Sequence, residues 1–376
     1  MVSFRICSVA IVIISIVIMS FDIVGDKYTD RVESKTPKMN GLCWVAGDSI
    51  AEHNIDDILD LGATWISQTP FGLMNGHTDP NIELMNERAW WGETDKGIIY
   101  TAREAKKKGV KTMLKPHIWI RNSNGKWRSD IAMESNEEWD QWFESYKKWI
   151  LHYARLAEQN QIEALCIGTE FDITTRRHPD KWRSVIAEIR KVYKGDLTYG
   201  ANWYREYETV SFWDDLDFIG VQAYFPLVKE NVPSKAALIK SWGKHKRSLK
   251  KLSEKYDKKI IFTEIGYKNT EDAAIEPWTW PQNLDGNTPI SDATQMLCYE
   301  ALFESLWHES WLEGFFIWKW FHTSYKYEDF DEYHTERQKR RKEWAKKRGR
   351  PMRPSIYFSP QYTDAREVLK KWYSAE

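Results

Sequence analysis

Two short stretches of this chain carry the same chemistry at the same place in their local pattern. Glu170 lies in Glu163–Asp172, Glu-Ala-Leu-Cys-Ile-Gly-Thr-Glu-Phe-Asp. Glu264 lies in Lys259–Tyr267, Lys-Ile-Ile-Phe-Thr-Glu-Ile-Gly-Tyr. Each is a short apolar run, then Thr, then Glu, then a Gly or aromatic turn. An uncharged run of four or five residues suits a strand buried on both faces, as in a parallel sheet. A Glu after such a run stands at the strand's C-terminal end, which in a β/α barrel is the face that carries chemistry. Two carboxyls so placed suit cleavage of a glycosidic bond: one protonates the leaving oxygen and the other attacks the sugar carbon or activates water. A single Glu after a strand is more commonly a cap or a surface residue. The functional reading rests on the repeated Thr-Glu context.

The elements that must hold these residues follow from the alternation of patterns. Strand-like stretches begin at Asn40–Val45, Ala63–Gln68, Val110–Leu114, Ala164–Gly168, Leu197–Asn202, Phe218–Ala223, Ile260–Thr263 and Gly314–Ile317. The third is expected to run on into Lys115-Pro116-His117-Ile118-Trp119. Helical patterns follow at His53–Leu61, Asp95–Lys108, Asn136–Asn160, Pro179–Tyr193, Ser234–Tyr256, Asp292–Trp307 and Arg366–Trp372. Ser135 with Glu138 three residues on is a capping-box signature for the longest of them. Eight strands interleaved with helices in this length predict a closed (β/α)8 TIM barrel, an α/β fold with a single catalytic domain over 39–376. An open doubly wound sheet would need a Gly-rich phosphate loop after the first strand, and Gly41-Leu42-Cys43-Trp44 has none.

Charge is balanced at a formal −1 over 376 residues, so no global field steers the chain to nucleic acid. Trp numbers 21, an excess that suits a large core or flat platforms for the C–H faces of sugar rings. Cys7, Cys43, Cys166 and Cys298 show no Cys-x-x-Cys spacing and read as small buried hydrophobes. His77, His117 and His178 are dispersed, so neither a metal nor another cofactor is expected. Residues Ile6–Phe21 are uncharged between Arg5 and Asp22. Residues 1–24 therefore read as a signal peptide or a membrane anchor, 25–38 as a linker, and the rest as secreted, periplasmic or cell-surface. A charged stretch at 325–353 interrupts the pattern as an insertion. Its basic run reads as a solvated helix, with no nucleic-acid partner implied.

With these residues laid out, the chain resembles the clan of retaining glycosidases whose acid/base lies on strand four and nucleophile on strand seven. More closely it is similar to glycoside hydrolase family 113, whose members are β-1,4-mannanases. The resemblance rests on Gly168-Thr169-Glu170-Phe171, Phe262-Thr263-Glu264-Ile265-Gly266-Tyr267, Lys115-Pro116-His117, Gly220-Val221-Gln222-Ala223-Tyr224 and Phe358-Ser359-Pro360-Gln361. It implies that Glu170 is the general acid/base and Glu264 the nucleophile, acting on a β-linked polysaccharide or oligosaccharide. A retaining mechanism would need the carboxyls roughly 5–5.5 Å apart, with Glu170 held protonated until substrate binds. Most of the clan has Asn before the acid/base. Thr169 stands here, so the contact to the sugar's 2-hydroxyl is weaker or supplied elsewhere.

Tyr224 is placed to donate to Glu264, and Trp318 to lie under the reacting sugar. Lys115 and His117 are candidates to bond hydroxyls, and Trp44, Asn202 and Trp203 belong to the same expected rim. Trp278 and Trp280 either extend the cleft or pin their loop. Two other readings stay open: a different β-glycosidase of the clan, such as a β-glucanase, xylanase or exo-mannosidase, and a non-catalytic carbohydrate-binding barrel.

Overall fold

The computed structural model of the protein describes residues 37–45, 55–85, 89–281, 288–322 and 356–375, with positions 47, 339, 343, 346 and 347 besides. Residues 38–376 form one compact unit. The strands are β1 (Met39–Val45), β2 (Trp65–Gln68), β3 (Phe71–Met74), β4 (Glu83–Leu84), β5 (Lys111–Leu114), β6 (His117–Ile120), β7 (Ala164–Thr169), β8 (Asp196–Asn202), β9 (Ile219–Gln222), β10 (Ile260–Ile265) and β11 (Leu312–Phe321). The helices are α1 (Asp56–Leu59), α2 (Asp95–Lys107), α3 (Asn136–Gln159), α4 (Asp172–Arg177), α5 (Pro179–Val192), α6 (Glu206–Thr209), α7 (Lys235–Tyr256), α8 (Asp292–Leu306) and α9 (Ala365–Tyr373). Eight strands close a parallel barrel in the order β1-β11-β10-β9-β8-β7-β5-β2. The fold is the expected (β/α)8 TIM barrel.

Side chains alternate between two cores, as strand pleating requires. Met39, Cys43, Trp65, Met113, Cys166, Ile261 and Phe316 fill the barrel interior. Their neighbours Leu42, Ile66, Leu165, Ile167, Phe262 and Phe315 face the helices. The helices answer with apolar stripes. On α3 the buried aromatic positions are Trp139, Trp142, Phe143, Tyr146, Trp149 and Tyr153, on one face at spacings of three and four. The Tyr146 hydroxyl is bonded to the Ile167 carbonyl of β7, which fixes α3 on the strand that presents Glu170. Ser135 and Glu138 cap α3 reciprocally, as expected. Much of the tryptophan excess lies in this layer: Trp142, Trp182, Trp213, Trp242 and Trp320 are fully buried.

One segment departs from the expected pattern. The third barrel strand stops at Leu114, and His117–Ile120 is a separate strand in a small sheet ordered β4-β3-β6. Pro116 has no N–H and cannot continue the ladder. The small sheet occupies part of the stretch 69–94 that reads as loop. It sits over the barrel mouth and brings Phe71, His117 and Trp119 to the cleft.

The expected leader at 1–24 lies outside the described residues, and so does the linker at 25–38 except Pro37 and Lys38. The insertion at 325–353 also lies outside them, apart from four helical positions. No helix among the described residues is long and apolar enough to cross a membrane.

Candidate active site

Glu264 reaches the barrel mouth because β10 is irregular. Strict alternation would put residue 264 on the face of Ile260 and Phe262, toward the helices. Between Phe262 and Glu264, however, β10 advances two residues while β9 advances one, from Val221 to Gln222. On the other side, Phe262 pairs Phe315 and Ile265 pairs Ile317, three residues against two. The extra residue is a bulge, a device that re-aims a side chain. It keeps Ile265 among the helices and turns Glu264 inward. Gly266 follows, where a Cβ would come 2.5 Å from the Trp318 carbonyl oxygen, so only glycine lets β10 and β11 end this close.

The fourth barrel strand, β7, has the same feature. Cys166 pairs Thr198 and Thr169 pairs Gly200, three residues against two. Glu170 then takes a left-handed backbone with φ of 56°, a conformation of order 1 kcal/mol or more above the usual wells for a non-glycine residue. Its amide donates to the Gly200 carbonyl at 2.9 Å.

The two carboxyls sit in different shells. Glu264 accepts from the Tyr224 hydroxyl at 2.5 Å on one oxygen. Its other oxygen accepts from Lys115 Nζ at 2.8 Å and Gln222 Nε2 at 3.1 Å. Three donors, one of them an ammonium, suit an anion. Lys115 also donates to the Thr263 carbonyl at 3.0 Å. Burial pulls the Lys115 pKa down, but Cys43 and Glu264 beside it outweigh burial and the net direction is up. Burial and the Glu264 charge push the Tyr224 phenol well above its ordinary range, so it remains a donor.

Glu170 accepts from Trp127 Nε1 at 2.6 Å and from Asn202 Nδ2 at 2.8 Å, with Arg128 Nε 3.8 Å away. Burial raises its pKa above the ordinary carboxyl range. The Arg128 charge and the Trp127 bond oppose burial, and the Glu264 charge adds to it. The outcome is one carboxyl inclined to hold a proton and one surrounded by donors, the division of labour that acid-assisted displacement requires.

Both carboxyls face a cleft of about 860 Å³. His117, Asn202, Trp203, Tyr224 and Trp318, all expected at this rim, line it. His117 is buried, and burial with the Arg128 and Lys115 charges holds its pKa well below the usual imidazole range. Trp318 lines the cleft with Glu264, with Lys115 Nζ 5.9 Å from its ring centre. The Trp318–Lys319 peptide is cis. Trp203 stacks on Trp278 at 4.8 Å and 24°, and Trp280 also lines the cleft.

Two expected rim residues are elsewhere. Trp44 shares the helix-facing side of β1 with Leu42 and belongs to the outer core, because two residues along a strand return to the same face. Lys115 follows Met113 into the barrel interior, is fully buried, and meets Glu264 from below. Neither lines the cleft.

Four residues of the site were not singled out as functional. Gln222 stands within the quoted Gly220–Tyr224 stretch. Trp127 and Arg128 come from a loop that carries no periodic signal. Glu206 is fully buried behind Asn202, in a sequence whose local charge reads as surface.

The family model of Glycoside Hydrolase Family 113 matches residues 45–336. The chain belongs to glycoside hydrolase family 113. Among solved structures, the family 113 β-mannanase AaManA from Alicyclobacillus acidocaldarius, in complex with ManMIm, is 25% identical with a TM-score of 0.71, over 90% of this chain and 98% of that one. A family 113 β-1,4-mannanase solved as a complex is 25% identical with a TM-score of 0.69, over 91% of this chain and 100% of its own. A β-glucuronidase from Ruminococcus gnavus shares the fold at 11% identity and a TM-score of 0.53, over 86% of this chain and 46% of that chain. Comparison with curated protein sequences returns no match. Membership of family 113 makes the chain a glycoside hydrolase.

Proposed function

We propose that the protein is a retaining endo-β-1,4-mannanase acting on mannan or glucomannan by double displacement. The observation that carries the proposal is the pair Glu170 and Glu264, at the ends of the fourth and seventh barrel strands, facing one cleft in opposite electrostatic settings. Glu170 donates its proton to the glycosidic oxygen as Glu264 attacks the anomeric carbon. The C–O bond to the leaving sugar breaks, and a glycosyl ester forms on Glu264. Glu170, now a carboxylate, takes a proton from water, and the resulting hydroxide equivalent displaces Glu264 with a second inversion. The β-mannanases at 25% identity support the choice of sugar. The uncharged run Ile6–Phe21 supports action outside the cytoplasm.

The test is hydrolysis of a panel of β-1,4-linked mannan, glucomannan, xylan and cellulose oligomers, with products resolved by length and first-formed anomer. Short manno-oligosaccharides released as the β-anomer are expected. An α-anomer would refute double displacement, and cleavage of xylan or cellulose alone would refute the mannanase reading. Glu170→Gln and Glu264→Gln are each expected to lower kcat/KM on the oligomers by at least about 10²-fold with folding retained.

A further inference from the structure

Glu206 has no contact with the cleft, yet both of its oxygens are tied to the segments that hold Glu170. One oxygen accepts from the Asn202 backbone amide at 2.7 Å, and the Asn202 side chain donates to Glu170 at 2.8 Å. The other accepts from the Tyr199 hydroxyl at 2.5 Å and from Thr175 Oγ1 at 3.3 Å. Tyr199 in turn accepts from the amide of Phe171, the residue after Glu170, at 2.6 Å. One carboxyl therefore clamps the chain on both sides of the Glu170 contact. The Asn202 carbonyl oxygen of the side chain accepts from the Tyr204 amide at 2.8 Å, which leaves its Nδ2 directed at Glu170.

We propose that Glu206 is a positioning residue for Glu170: it fixes Asn202 and, through Tyr199, the Phe171 amide, and so holds the acid/base in its left-handed backbone and in line with the leaving oxygen. The inference deepens the reading of Glu170 as the acid and rests on it. Among the described residues no cation pairs with Glu206, and burial pushes its carboxyl up to about 8 despite the Asn202 and Tyr199 bonds. A carboxyl in such a place is unfavourable for folding, so packing alone does not account for it. Its geometry does account for it, because its two oxygens meet the Asn202 amide and the Tyr199 hydroxyl together. A glutamine keeps an acceptor for the Asn202 amide but turns its N–H toward Tyr199, whose hydroxyl must then change from donor to acceptor while still taking the Phe171 amide.

The experiment separates positioning from general support by the leaving group. kcat/KM reports bond cleavage, which needs Glu170's proton for phenol as leaving group and barely needs it for 2,4-dinitrophenol. Wild type, Glu170→Gln, Glu206→Gln and Tyr199→Phe are assayed on phenyl and 2,4-dinitrophenyl β-mannobiosides, with thermal melts alongside. Glu206→Gln is expected to lose about 10²-fold on the phenyl substrate and less than about threefold on the dinitrophenyl one, following the pattern of Glu170→Gln. Tyr199→Phe, which removes one oxygen from a residue that otherwise keeps its packing, shows the same pattern if Glu206→Gln fails to fold. Equal losses on the two substrates, or no loss on either, in both variants would overturn the inference while leaving Glu170 as the acid. No leaving-group dependence in Glu170→Gln, or no wild-type cleavage of either mannobioside, would overturn the reading of the site and this inference with it.

Discussion

Replacing Lys115 by methionine tests how the site holds the Glu264 carboxyl. Lys115 is fully buried and its ammonium lies 2.8 Å from a Glu264 oxygen. At that separation and an effective dielectric near 20, the pair attracts by about 6 kcal/mol, before the desolvation of both ions is subtracted. Removing one member leaves the other charge buried, which costs about 3–5 kcal/mol in comparable cases. For a barrel spanning residues 38–376, that corresponds to a fall in Tm of about 4–7 °C. The second change, Glu264→Gln, removes the stranded charge and keeps an acceptor for Tyr224. The double variant Lys115→Met, Glu264→Gln is therefore expected to melt above Lys115→Met alone. The assay is a thermal double-mutant cycle at neutral pH with circular dichroism as readout. Its coupling is expected to be about 3 kcal/mol, half the attraction before desolvation. If the two substitutions simply add, Lys115 is a packing residue that happens to lie near Glu264, and the electrostatic account of the site fails.

Three other outcomes follow from the same geometry. Arg128 holds the Glu170 pKa down against burial, so Arg128→Met should raise it further. With Glu170 as the proposed acid, activity needs its protonated form and is lost as pH rises through that pKa, so the basic limb of kcat/KM should move to higher pH. A move to lower pH would contradict the assignment. Tyr224→Phe removes a 2.5 Å bond to Glu264 and is expected to lower kcat/KM by about tenfold or more, with little change in Tm. Trp278 stacks on Trp203 at the cleft wall. Trp278→Ala should raise KM for long oligomers by about three- to tenfold, as expected for one aromatic contact of about 1 kcal/mol, and leave the shortest cleaved oligomer unaffected.

The barrel was legible because its signals are local. Uncharged runs such as Ala-Leu-Cys-Ile-Gly at 164–168 and Ile-Ile-Phe at 260–262 can be satisfied only by burial on both faces. The amphipathic spacing along α3 and its Ser135–Glu138 cap need no tertiary information either. The small sheet was missed for the converse reason. Phe71–Met74 and Glu83–Leu84 are short, and their pairing is with each other and with β6, so nothing in either stretch alone marks a strand.

The chain's sequence determined which residue types stand near the strand ends. Thr-Glu after each buried run, Tyr224 two residues after Gln222, and Trp318 following the apolar run Gly314–Ile317 were all readable from residue type and position. Tertiary structure decided where those side chains point and what surrounds them. Alternation alone sends Glu264 toward the helices, and the bulge set by pairing β10 with both β9 and β11 turns it into the cleft. Alternation, correctly followed, carries Trp44 away from the rim and Lys115 beneath Glu264. Trp127 and Arg128 reach Glu170 across a distance in sequence that only folding closes. The division has a physical basis: burial preference and hydrogen-bonding capacity belong to single residues, whereas register, bulges and the electrostatic setting of a carboxyl belong to pairs of elements.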